Sequence, residues 1–92
     1  MKKEIVKFSD KISWQYLDDK IFVIDEITEN VTIFKGVSAE IWSIISCSEF
    51  GVCEVEKLIV KLSSTFNTEN IISRIESMIK KKLLIRIGDK CD

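Results

Sequence analysis

Apolar and polar positions alternate first at residues 12–17, where Ile12, Trp14 and Tyr16 fall on one side of a period of two. That spacing predicts a β-strand with one buried face. Asp18-Asp19-Lys20 is a polar tight turn rather than a catalytic carboxylate pair. Ile21-Phe22-Val23-Ile24 follows as an unbroken apolar run rich in β-branched residues. It reads as a central strand buried on both faces. A charged connection leads to Val31-Thr32-Ile33-Phe34, a third short strand. The three make an antiparallel meander.

At Gly36 the period changes. Val37, Ile41, Ile44 and Ile45 recur at helical spacing, with Ser38 placed to cap and Trp42 adding bulk on the same side. Residues 46–51 break this helix. Val55, Leu58, Ile59 and Leu62 mark a second one, with Glu54 and Glu56 suited to the positive end of its dipole. After a break at residues 63–67, Thr68 and Glu69 open a third helix that runs to about Lys81. Its stripe is Ile71, Ile72, Ile75, Met78 and Ile79. Leu83-Leu84-Ile85-Arg86-Ile87 is a short terminal strand or an extended tail. The expected class is α+β: a three-stranded antiparallel sheet followed by three helices, winged helix-turn-helix-like, with room for a short C-terminal strand. Residues 1–92 form a single domain, with residues 1–10 and 88–92 as flexible or loosely packed ends.

Composition narrows the chemistry. The 92 residues contain no histidine, which removes Ser–His–Asp and Cys–His nucleophile pairs and the commonest metal ligand. Three glycines cannot build a glycine-rich phosphate loop. Cys47 and Cys53 lack zinc-site spacing and read as small buried or half-buried hydrophobes, while Cys91 reads as a free thiol near the C-terminus. We therefore expect no enzyme, no catalytic residue, no metal and no cofactor. The odd cysteine count, the lack of a signal-like apolar N-terminus and the lack of a long apolar span point to the cytoplasm, without membrane contact. Net charge is −1, against the basic excess usual in nucleic-acid binders.

The residues Ile33-Phe34-Lys35-Gly36-Val37-Ser38-Ala39-Glu40-Ile41-Trp42 carry a resemblance to a known family. A strand ends in an apolar residue, a short turn follows, and then a small residue and Ile-Trp. Val55, Leu58 and Leu62 match the family's second helix, and the stretch from Met78 through Leu83-Leu84-Ile85 matches the end of its third. Across residues 13–85 the chain resembles the PqqD-like domains, the RiPP recognition elements, in their stand-alone form. It departs from them at Lys82, where the family usually has glycine, and at Lys35-Gly36-Val37, where asparagine and proline are usual.

The resemblance implies a non-catalytic protein that binds the leader of a ribosomally synthesised precursor peptide. It would present that leader to a peptide-modifying enzyme (a radical-SAM maturase, a lasso-peptide protease or cyclase, or similar) or to a leader peptidase. The leader would add beside the third strand, at Asn30, Val31, Thr32, Ile33, Phe34 and Lys35, in a groove shared with the third helix. Ile71, Arg74, Met78 and Lys81 share one helix face, and Ile75 lies close to it. We expect these five to line the groove, with Arg74 and Lys81 attracting acidic leader residues. Which of the pairs Val31/Ile33 and Thr32/Phe34 meets the leader is open. So is the choice between monomer and homodimer.

The competing reading is a winged-helix DNA-binding regulator whose third helix enters a major groove. Residues 66–92 hold six basic and four acidic side chains. The helix start, with Glu69, Asn70 and Ser73, offers no cation before Arg74. That is poor for neutralising phosphates and disfavours a nucleic-acid partner.

Overall fold

The structure is a computed structural model that describes residues 4–48 and 51–87. The expected meander is present as β2 (Ile12–Leu17), β3 (Lys20–Asp25) and β4 (Val31–Phe34), with β3 central. Asp18 and Asp19 both take left-handed backbone angles, φ 54° and 63°, between the paired Leu17 and Lys20. Positive φ at both loop residues is the two-residue hairpin geometry whose twist matches its strands. The β3–β4 connection is longer. There the Asp25 carboxylate accepts the N–H groups of Ile27 at 2.8 Å and Thr28 at 3.2 Å. The Asp25 N–H donates to the Asn30 carbonyl at 2.9 Å.

Register decides which side chains are buried. Ile21 pairs with Phe34 and Val23 with Thr32, so these four share the inward face; Ile21, Val23 and Phe34 are buried there. Phe22 pairs with Ile33 and Ile24 with Val31 on the other face. There Ile24, Val31, Ile33 and Leu17 are exposed. The apolar run of β3 is thus central but buried on one face only. An unbroken hydrophobic run reads as two-sided burial, but here its second face belongs to an apolar sheet surface open to solvent.

The ends of the chain depart further from expectation. Ile5–Phe8 is a strand, β1, rather than a loose lead-in. It pairs antiparallel with β5 (Val52–Glu54) on one side and β6 (Leu84–Ile87) on the other. The terminal strand therefore forms, but in a second three-stranded sheet and not as a wing on the meander. In place of the single-sheet winged arrangement, the described residues form two three-stranded sheets and three helices. Val6, at the centre of the second sheet, is fully buried. Residues 88–92, expected to be a flexible end, lie outside the described residues, as does Cys91.

The helices are α1 (Val37–Ser46), α2 (Val55–Leu62) and α3 (Thr68–Lys80). Gly36 precedes α1 with φ 65° and ψ −134°, a conformation that glycine adopts readily and other residues do not. Ser38 is buried inside the first turn and does not cap. Trp42 of α1 joins the two sheets. Its ring stacks on Phe8 of β1 at 4.4 Å, meets Phe34 of β4 at 5.3 Å, and receives the edge of Trp14 of β2 at 6.3 Å. Trp14, on the strand face expected to be buried, is partly exposed at the margin of this cluster. Cys53 is buried, whereas Cys47 is exposed.

Asn67 caps α3, its side chain accepting the Glu69 N–H at 2.7 Å. The other end closes with two backbone bonds, Lys82 N–H to the Ile79 carbonyl and Leu83 N–H to the Met78 carbonyl, both 2.9 Å. This is the Schellman pattern, with the buried pair Leu83 and Met78 as its hydrophobic contact. Its left-handed position usually falls to glycine but is held by Lys82, φ 65°. A side chain there costs about 1–2 kcal/mol.

Candidate functional site

β4 is an edge strand: β3 lies on one side and, among the described residues, no strand on the other. The Asp25 N–H bond to the Asn30 carbonyl identifies that facing pair as hydrogen-bonded. Antiparallel pairs alternate between bonded and non-bonded. Thr32 and Phe34 therefore direct their backbone groups to β3, while Val31 and Ile33 direct N–H and C=O outward. The free edge thus offers a ladder with a two-residue repeat.

A groove of about 310 Å³ runs beside this edge. Its strand wall is Thr32, Ile33, Phe34 and Lys35; its helix wall is Arg74, Ser77, Met78 and Lys81 of α3, with Ser38 of α1 at one end. Phe34 and Met78 are buried and form an apolar floor. Lys35, Arg74 and Lys81 are exposed above it, and no carboxylate is among the described lining residues. The groove therefore offers outward backbone hydrogen bonds, an apolar base and a positive rim.

Seven of the eleven residues expected at the site line this groove. The inward pair is Thr32 and Phe34; the side chains of Val31 and Ile33 emerge on the opposite, exposed face. Asn30 and Val31 lie at the open start of the strand, outside the groove lining. Ile71 and Ile75 are not on the groove wall: both are buried in the core, 0% and 2% exposed. Counting the helix face from Ile71 tilted it toward the core. The row actually presented is Arg74, Ser77, Met78 and Lys81, spaced i, i+3, i+4, i+7. Ser77 was legible from that spacing. Ser38 was not, because it enters from a different helix.

A larger cavity of about 720 Å³ opens between the C-terminal half of α1, β5 and α2. The strand beside it is only three residues long and offers little edge to pair with. Among the described residues no group of three or more cysteines and carboxylates is arranged to hold a metal ion. No described helix is long and apolar enough to cross a membrane.

No family model matches the chain, and no curated protein matches it. A solved structure of similar fold is TbiB1 in complex with the TbiA(beta) leader peptide. The TM-score is 0.73 at 17% sequence identity, covering 90% of this chain and 99% of that one. At this identity the likeness is one of fold.

Proposed function

We propose that this chain is a non-catalytic, PqqD-like recognition protein that captures the leader of a ribosomally made precursor peptide and presents it to a modifying enzyme or leader peptidase. The observation that carries the reading is the free edge of β4 facing Arg74, Met78 and Lys81 across a groove. The similar fold of a protein solved with a leader peptide supports it.

An extended leader adds as a fourth strand of the meander. Its backbone pairs with Val31 and Ile33, which gives affinity without regard to sequence. Its side chains then alternate. One set enters the groove over Phe34 and Met78, between Arg74 and Lys81; the other lies on the outer face beside Val31 and Ile33. Selection thus favours apolar and acidic residues on the groove side and apolar residues on the outer side. A disordered leader loses conformational entropy on docking, so the net affinity is smaller than the contacts suggest.

The test is a fluorescence-anisotropy titration with the labelled leader of a precursor encoded beside this chain, and with duplex DNA in parallel. Saturable leader binding near ~1 μM, about −8 kcal/mol, without response to DNA is the expected result. Salt-sensitive DNA binding with no leader binding would overturn the reading in favour of a winged-helix regulator.

A further inference from the structure

We propose that the peptide held along β4 continues past Asn30 into a second pocket, at the seam between the two sheets, and that this pocket selects an apolar side chain next to a carboxylate. The inference rests on the peptide-binding reading of β4 and adds to it a specificity subsite.

The seam pocket has a volume of about 520 Å³. The β1–β2 turn gives it Lys11, the β3–β4 loop Ile27, the end of α3 Ile79 and Lys82, and β6 Ile85 and Arg86. Ile27 is 71% exposed and Ile85 39%, so an apolar guest would cover surface now facing water. Guest charge is set by the rim. Arg86 is engaged by Glu4 at 2.6 Å, and the Asp25 carboxylate already accepts the Ile27 and Thr28 N–H groups. The charge of Lys82 already favours the ionised form of Asp25, but Lys11 and Lys82 together outnumber that carboxylate and leave positive charge for an incoming one.

Neighbouring residues border the two: Lys81 lines the groove and Lys82 the pocket. Asp25 lines the pocket and bonds Asn30, the residue just before β4. A peptide strand leaving β4 at that end advances about 3.3 Å per residue and enters the pocket within a few residues. Lys82 holds a left-handed backbone position that glycine would occupy without strain, so Lys82→Gly removes the cation without cost to the fold.

The test is selection of a phage-displayed library of random twelve-residue peptides on the immobilised full chain. Selected peptides are then measured against Lys82→Gly, Lys11→Ser and Ile33→Pro. The expected winners combine an alternating apolar stretch with an acidic–apolar pair at one end. They bind Lys82→Gly and Lys11→Ser at least fivefold more weakly, although Lys82→Gly melts at the same temperature as the parent or higher. Unchanged affinity for both lysine variants, with binding lost in Ile33→Pro, would overturn the second pocket and leave the β4 reading standing. Unchanged affinity for Ile33→Pro would overturn both.

Discussion

The two sheets have three strands each and opposite origins. β2, β3 and β4 are successive in the chain and joined by short connections; β5, β1 and β6 come from the middle, the start and the end. The first sheet leaves an apolar outer face and a free edge exposed. The second buries Val6 at its centre and draws distant segments together, with Glu4 and Arg86 paired across it. The difference separates two tasks: the long-range sheet closes the fold, and the local sheet offers a surface on which a partner strand can be built.

That division is open to direct attack. The largest effect is expected from Val6→Asp, which places an unpaired charge at the centre of the second sheet. A loss of about 4 kcal/mol or more should appear as a chain unfolded at room temperature by circular dichroism. If it stays folded, the second sheet does not close the structure. Proline substitutions then probe the two sides of β4. Thr32→Pro removes a bond to β3 and should cost about 1–3 kcal/mol of stability in urea titrations. Ile33→Pro removes only an outward N–H. It should leave the urea midpoint nearly unchanged yet weaken leader binding at least tenfold. Equal behaviour of the two variants would refute the alternation assigned to this edge.

Smaller effects refine the picture. Asp19→Gly relieves a left-handed side chain in the β2–β3 turn, worth about 1–2 kcal/mol, against an unfolded-chain entropy cost of about 0.4–1 kcal/mol, and should leave a small net stabilisation in the same titration. The pH dependence of Asp25 is smaller still. The N–H groups of Ile27 and Thr28 hold its carboxyl below the ordinary 3.8, and the charge of Lys82 assists. A depressed folded value means stability present above 3.8 and lost as pH falls through the lower folded value. Urea midpoints at pH 6 and pH 3 should therefore differ slightly less in Asp25→Asn than in the parent.

Legibility in the sequence follows the same division. The meander could be read because alternation, turn and pairing partner all lie within residues 12–34. The helices were readable from periods of three and four, and the starts of α2 and α3 from their flanking residues. β1 and β5 were not. Four and three residues are too few to show a period, and the partners of β1 lie more than forty and more than seventy residues further along the chain. At the site, β4 and the cations of α3 were legible. The burial of Ile71 and Ile75 was not, because a helix touching both core and groove carries apolar residues on two adjacent rows. The inward choice of Thr32 and Phe34 needed the register with β3, which no spacing within β4 encodes.

The central claim is that a leader strand bonds to the outward groups of Val31 and Ile33. Amide hydrogen exchange, followed residue by residue by NMR with and without saturating leader, tests it most directly. The account predicts strong new protection at Val31 and Ile33, with little change at Thr32 and Phe34, whose amides already bond to β3. Leader binding that leaves Val31 and Ile33 exchanging as in the free protein would contradict it.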